Sequence, residues 1–508
     1  MLLDDFSELE NTRLEKIHRM RDEGIEPYPT RSAKSMNNAD AVKAFETAEA
    51  EGKAEVPDVV LAGRIRAIRN MGKLCFTHIE DSSGKIQLFL RINELGEEKL
   101  NSFVRDFDLG DFIEASGALT RTRRGEITLM VHDFKMLAKA LYQLPADKDQ
   151  VVDGETVRHA VLSDPETRYR QRYVDLAVNP DVREIFKARA KIVDTVRTYL
   201  DERDYIEVET PILQPIYGGA AARPFTTYHN QLHQELFLRI SFELYLKRLI
   251  VGGMDRVYEI GRDFRNEGVS FKHNPEFTQL ELYEAYTDYH GMMRIAEEMV
   301  SQCAYELNGH YIINYDGNEI DLTPPWKRIT IRQGLIDFAD IDIKDYPTVE
   351  SLEALLKERD IPFKPGVPHG KLIGLLMEEY IEPRLIQPTF LCDYPRDISP
   401  LAKNVPGDPS TVERFEIFIG GVELGNAFTE LNDPVEQEKR FLEMADAYAK
   451  DDEEQHPMDH DFVRALAYGM PPTGGMGIGI DRLVMMLTGK NTLREVILFP
   501  HLRKIEDQ

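Results

Sequence analysis

Cysteine is scarce. Cys75, Cys303 and Cys392 are the only three in 508 residues, and they lie far apart. That excludes a disulfide scaffold and a CxxC zinc site, and it suits a reducing cytoplasm. No apolar run approaches the about 18 residues needed to cross a bilayer, so an integral membrane protein is excluded. The N-terminus, MLLDDFSELE, is acidic and leads into no apolar stretch, so no secretory signal is expected. Positive charge is in deficit: 62 Lys and Arg against 89 Asp and Glu give a formal net charge of −27. The balance therefore argues against a generic nucleic-acid binder driven by charge alone, because phosphate contacts need clustered cations. A local basic patch remains compatible. There is no GxxxxGK[ST] phosphate loop, no internal repeat and no extended low-complexity tract. Residues 450–455 are an acidic run that reads as a solvated loop.

What is present is enough for a soluble globular protein of roughly three domains at about 150 residues each. Hydrophobic residues make up 42% and charged residues 30%. A core can form without disulfide or metal staples. Residues 1–56 read as a helical extension. Leu14, Ile17 and Met20 recur at helical spacing among Arg13, Lys16, Arg19 and Arg21, and the run from Gly24 to Pro29 stops the helix. Such a helix packs on a neighbour or serves as a basic arm for RNA. Residues 57–142 read as about five short strands with one helix, Glu94 to Phe103. Val59-Leu61-Gly63-Ile65 and Leu74-Phe76-His78 alternate, Asp81 to Gly84 is a turn, and Arg121 to Glu126 is a basic hairpin. This pattern predicts an OB-fold β-barrel, a frequent oligonucleotide binder. Residues 61–140 carry 13 Lys and Arg against 11 Asp and Glu, so this stretch is +2 in a strongly acidic chain. Residues 143–165 are polar and read as a linker, and 166–508 as a larger domain of helices and strands.

Four segments of that domain carry candidate chemistry. Residues 185–200 form an apolar helical stripe, followed by a short strand from Ile206 to Pro211. Val257 to Arg265 and Glu276 to Tyr286 read as strands around a loop holding Glu267, Gly268, Lys272 and His273. Alternation puts Phe277, Gln279, Glu281 and Tyr283 on one face, with Leu280 and Leu282 behind them. Arginine, carboxylate and a cationic loop together suit a phosphate-bearing ligand, and equally an ordinary exposed sheet face. Phe415 to Asn432 reads as two strands around Gly420-Gly421, with Asn426, Phe428 and Glu430 on one face. Glu416 and Glu423 flank that turn, either as a Mg²⁺ pair beside phosphates or as unrelated surface residues. Gly474-Gly475-Met476-Gly477-Ile478-Gly479 is a strand that lets a ligand or another backbone approach closely, and it leads into a helix after Arg482.

Together and in this order, these segments resemble the three motifs of class II aminoacyl-tRNA synthetases. The helix and strand ending at Pro211 look like the first motif, Phe264-Arg265-Asn266-Glu267 with His273 to Tyr286 like the second, and Gly477 to Arg482 like the third. A preceding OB-fold marks the lysyl, aspartyl and asparaginyl subgroup. Phe242 to Arg248, Ser399 to Lys403 and Gly425 to Asp433 are most similar to its lysyl members. The resemblance implies an α+β fold: an N-terminal OB-fold β-barrel for the anticodon, then a catalytic domain built on a six-stranded antiparallel sheet flanked by helices. It implies activation of L-lysine with ATP and Mg²⁺ and transfer to tRNA(Lys), by a cytoplasmic homodimer without membrane attachment.

Carried over residue by residue, Arg265 and Arg482 would be the catalytic cations on the phosphates. Glu267, His273, Phe277 and Glu423 would join them around ATP. Gly219, Glu243, Arg265, Glu281, Tyr283, Asn426, Phe428 and Glu430 would bind lysine, and Glu416 and Glu423 would hold the metal. Arg69, Phe76, Gln87 and Glu126 would read the anticodon. Val422 departs from the family pattern beside Glu423. Glu281 and Glu430 favour an ammonium substrate over aspartate, which would need a cation there. The rival readings are an aspartyl or asparaginyl enzyme, a silent paralogue that binds RNA or protein, and a single-strand binder built on the OB-fold alone.

Overall fold

The computed structural model describes residues 6–145, 148–152, 155–159, 162–447 and 457–504. The acidic run at 450–455 lies outside them. The chain forms two compact units, Met1–Leu162 and Ser163–Gln508. No described helix is long and apolar enough to cross a membrane.

The first unit is a closed five-stranded barrel. The strand Glu55–Asn70 serves two neighbours, pairing with Phe112–Arg121 through its first half and with Leu74–Glu80 through its second. Irregularities in the register, one beside Asp58 at φ 57°, bend it around the barrel. Lys85–Arg91 and Ile127–Ala138 pair in parallel and complete the ring. Alternation decides the two faces: Leu61, Ile65, Cys75, Ile79, Leu88, Leu90, Ile113 and Leu129 fill the interior.

Two helices precede the barrel. Glu8–Asp22 begins at Ser7, whose N–H donates to Glu10 Oε2 at 2.7 Å in a capping box. Its Met20, with Ala41 and Phe45 of the helix Asn38–Ala50, joins the barrel core. The basic side chains of the first helix are engaged inside this unit. Arg13 donates to the Ala140 and Leu109 carbonyls, Lys16 pairs with Asp108 at 2.8 Å, and Arg19 pairs with Asp106. The helix packs on its neighbours through these three residues, while Arg21 is exposed. The stretch read as a linker contains an antiparallel hairpin, Lys148–Val152 with Glu155–His159. Its polar composition masked it.

The second unit is built on an eight-stranded sheet. Its centre is the expected run of six antiparallel strands, in the order Thr389–Pro395, Thr411–Ile419, Val422–Thr429, Thr473–Gly479, Glu276–Ala285 and Arg256–Phe264. A parallel strand extends it at each edge, Lys327–Thr330 on one side and Ile206–Glu207 on the other. The latter covers only the start of the strand expected to run to Pro211.

One sheet face is apolar. Tyr258, Leu280, Leu282, Phe415, Ile417, Met476 and Ile478 are buried beneath the helices Pro180–Asp201 and Tyr289–Asn308. The first of these helices starts with proline, whose missing N–H costs nothing there. The second is capped by Asp288 and ends at left-handed Gly309. The helices Ile331–Ala339, Val349–Glu358 and His369–Tyr380 build a separate small core with the Thr389–Pro395 edge. The opposite sheet face is polar and carries the site.

Candidate active site

Cross-strand register arranges the polar face in rows. Tyr283, Gly475, Phe428 and Arg414 stand opposite one another across four strands, and Glu281, Gly477, Asn426 and Glu416 form the next row. The strand that crosses the middle of both rows therefore contributes only glycine. It forms the floor of a trough whose walls are the side chains on either hand. A chamber of about 290 Å³ lies over it. A Cβ at Gly475 would overlap Glu430 Oε1 and the Tyr283 ring, so the bare backbone is a condition of the packing beneath.

The chamber brings together Gly219, Glu243, Arg265, Glu267, His273, Phe277, Glu281, Tyr283, Glu423, Asn426, Phe428 and Arg482. Every one of these was named from sequence. Gly219 has φ 89°, and a Cβ there would stand 3.0 Å from Glu243 Cβ, so its loop lies tightly on the chamber wall. Glu416 lies in an adjoining cavity that shares Lys272, His273, Arg414, Glu423 and Arg482 with the first. Glu430 is 0% exposed and is not a wall residue. Its carboxylate sits immediately behind Gly475, paired with the ammonium of Lys247.

The two ends of the chamber differ in charge. At one end, Arg265 stands 5.1 Å over the Phe277 ring. Arg482, in the first turn of the helix Ile480–Leu487, donates to the Glu423 carbonyl at 2.6 Å and carboxylate at 3.0 Å. It also reaches the Lys272 carbonyl, tying the loop to the sheet. That loop closes through Ser270 N–H to the His273 carbonyl, while Ser270 Oγ meets His273 Nδ1 at 2.9 Å. Burial, then the charges of Arg482 and Lys272, hold the His273 pKa below its ordinary value, which favours neutral imidazole. The neighbouring Asp481 fixes the frame, accepting from Thr278 N–H and from Arg189 at 2.6 Å.

At the other end, carboxylates outnumber cations. Glu281 accepts from Ser241 Oγ at 2.7 Å, Gln279 Nε2 at 3.0 Å, Tyr283 OH at 3.1 Å and Phe242 N–H at 3.2 Å. Burial, then the charge of Glu243, push Glu281 up to about 7. Burial raises Glu243 as well and puts Glu430 well above the ordinary carboxyl range. Lys247 is the buried cation beside them, 2.6 Å from Glu243 Oε1.

The adjoining cavity is acidic too. Burial and then Glu423 push Glu416 up to about 7, although Arg414 donates to it at 2.8 Å. Burial opposes the ionisation of Glu423, but the Arg482 guanidinium holds it below its usual range. Burial, then Glu378 and Glu423, push Glu382 up to about 7. Glu416 and Glu423 thus offer two hard oxygen donors whose mutual repulsion a divalent cation would relieve, beside cations suited to phosphate.

In the barrel, Arg69, Phe76 and Phe89 are cross-strand neighbours, and the two phenyl rings stack at 4.5 Å with 6° between their planes. Beside them, Glu126 accepts from Gln87 Nε2 at 2.6 Å and meets His78 Nε2 at 2.8 Å, while Thr128 donates to Gln87. The four residues expected there form one patch. Phe89 and His78 were missed as members, although alternation with Phe76 and Gln87 points to them. In the larger unit, sequence reasoning missed Ser241, Lys247, Arg414 and Glu382. Ser241 and Lys247 meet Glu281 and Glu430 only through the fold, from far along the chain.

Residues 164–503 match the family of class II tRNA synthetases (D, K and N), and residues 59–137 match the OB-fold nucleic acid binding domain. A lysine–tRNA ligase from Chloroflexus aurantiacus is 49% identical over 505 residues, spanning 99% of this chain and 100% of that protein. One from Roseiflexus castenholzii is 50% identical over the same shares. One from Clostridium tetani is 46% identical over 503 residues, 98% of this chain and 97% of that protein.

Proposed function

The chain belongs to the class II tRNA synthetases (D, K and N), and from that premise we infer that it is a lysine–tRNA ligase, joining lysine to tRNA with ATP as co-substrate. The observation that carries the choice of amino acid is the charge at the carboxylate-rich end of the chamber. Glu243 and Glu281 line it and Glu430 stands behind Gly475, with Lys247 as their buried cation. An ammonium ligand suits that excess of carboxylate. An aspartate side chain would face repulsion there.

The proposed roles follow from position. Arg265 takes the lysine carboxylate and the ATP α-phosphate, and Arg482 the γ-phosphate. Phe277 stacks on the adenine ring, with Glu267 and His273 beside the nucleotide. Tyr283 and Phe428 line the aliphatic stem of lysine, with Asn426 between them and the metal pair. The lysine carboxylate attacks the α-phosphorus and pyrophosphate leaves. A ribose hydroxyl of tRNA then attacks the resulting mixed anhydride and releases AMP. No covalent bond to the protein is required, so the contribution of these residues is positioning and charge neutralisation. Glu416 and Glu423 would hold Mg²⁺, which supplies charge neutralisation on the phosphates.

In the barrel, stacking on Phe76 and Phe89 suits unpaired bases, and Arg69, Gln87 and Glu126 offer donors and acceptors for their edges. The exposed apolar residues Ile206, Ile212 and Leu213 near the sheet edge support a homodimer. Three cysteines, all unpaired and buried, support a cytoplasmic location.

The test is amino-acid-dependent ATP–pyrophosphate exchange with Mg²⁺ across the standard amino acids. Exchange with lysine alone is expected. Exchange with aspartate or asparagine would keep the family and sink the pocket assignment. No exchange by folded protein would favour a binding role without catalysis.

A further inference from the structure

Lys247 is 0% exposed and does not reach the chamber wall. It lies one helical turn after Glu243 in the helix Glu243–Val251, where the i, i+4 spacing points both side chains the same way. Its ammonium bridges Glu243 of its own helix and Glu430, which lies far away in sequence. It also stands 5.4 Å from the Phe428 ring centroid and 5.8 Å from that of Phe462. Phe428 is itself a wall of the chamber. An ammonium buried this completely is maintained only by compensating charge.

The surroundings define a count of formal charges that applies to the occupied pocket, because burial favours the protonated acids until an ammonium arrives. Glu243, Glu281 and Glu430 are three carboxylates around one end of the chamber, and the partners of Glu281 are all neutral. Lys247 supplies one positive charge, which leaves a deficit of two. A dibasic amino acid whose carboxylate faces Arg265 brings two ammonium groups. An amino acid with a neutral side chain brings one. Without Lys247 the deficit would be three, and neither ligand would match it.

We propose that Lys247 is a positioning residue for amino-acid selection, clamping Glu243 and Glu430 in place so that the pocket matches a substrate carrying two ammonium groups. This deepens the lysine–tRNA ligase reading and rests on it. The rival explanation is that Lys247 neutralises two buried acids for folding alone. Folding alone would not separate the handling of lysine from that of ATP. Positioning would, because Arg482, Glu416 and Glu423 lie at the other end of the site.

The experiment is ATP–pyrophosphate exchange by the full chain carrying K247M, K247Q or K247R, with Tm measured alongside. For folded K247M, we expect KM for lysine to rise at least about tenfold, with KM for ATP and kcat within about threefold of the parent, since losing one partner of a buried charge set is costly. The ratio of kcat/KM for lysine over its neutral isostere 2-aminoheptanoic acid should fall by a similar factor. K247R keeps the positive charge and should recover most of the loss in lysine KM. An unchanged lysine KM in folded K247M overturns the proposal, as do parallel losses for lysine and ATP. If K247M is insoluble, K247Q is read by the same criteria, and insolubility of both overturns the proposal in favour of a folding role alone. A parent protein that shows no lysine-dependent exchange would instead sink the ligase reading itself.

Discussion

Glu281 accepts hydrogen bonds from four neutral groups and faces the chamber. Its ordinary value is 4.5, and burial and Glu243 bring it to about 7 in the folded chain. Between those values the folded protein holds a proton that the unfolded chain has released. The contribution of this group to stability is therefore present at low pH and lost as pH rises from 4.5 through about 7. A bound ammonium favours the ionised carboxylate and reverses the sense. Lysine affinity should thus weaken as pH falls below about 7, approaching tenfold per unit where one proton must leave on binding. Calorimetric titration of lysine at pH 6 and pH 8, in two buffers of different ionisation enthalpy, would read both the affinity and the released proton. A flat affinity with no proton release sinks the assignment. Residues such as Glu281, Tyr283, Asn426 and Phe428 were legible in the sequence because a strand repeats every second residue, so one exposed face announces its members. Lys247 was not. Lysine is ordinarily a surface residue, and its burial is explained only when Glu430, brought by another segment, joins Glu243 of its own helix.

The elements show the same division. The barrel strands were legible from alternation and turn residues, and the helix Pro180–Asp201 from its apolar stripe. The strand Ile206–Glu207 was legible but its parallel pairing was not, and Lys327–Thr330 was missed altogether, because pairing is decided by partners distant in sequence. The glycine strand Thr473–Gly479 was legible as a close approach, but not as the floor between two rows, which needs the register of both neighbours. The barrel element makes a separable prediction. Phe76 and Phe89 stack face to face on strands whose cores do not depend on them: Cys75, Thr77, Leu88 and Leu90 point inward. Phe76→Ala should leave lysine-dependent exchange unchanged, because that reaction needs no tRNA. It should raise KM for tRNA in aminoacylation by about 5- to 100-fold, the range for losing one stacked base of about 1–3 kcal/mol. Loss of exchange activity, or an unchanged tRNA KM, would remove Phe76 from base recognition.

For the whole molecule, a net charge of −27 opposes association with any polyanion and with a second copy of itself. Self-association therefore needs an apolar surface, and residues 206–213 provide one. Ile206 is 51% exposed, Ile212 44% and Leu213 48%, beside a two-residue strand at the sheet edge. An uncovered edge with apolar side chains is a surface that proteins ordinarily protect or pair. If two copies pair there, the attraction is apolar and the long-range repulsion is electrostatic, so the two respond oppositely to salt. The dimer should tighten as ionic strength rises from about 0.05 to 0.3 M, because the Debye length shortens across that range. Ile206→Asp with Leu213→Asp removes two apolar side chains, each worth about 1.5–3 kcal/mol when fully buried, and adds charge of the repelling sign. Sedimentation equilibrium should then find the double variant monomeric at micromolar concentration and the parent dimeric. Exchange activity should fall with the dimer if pairing supports the catalytic unit. A parent that sediments as a monomer, or a dimer that loosens with added salt, would show that this edge is not where the copies meet.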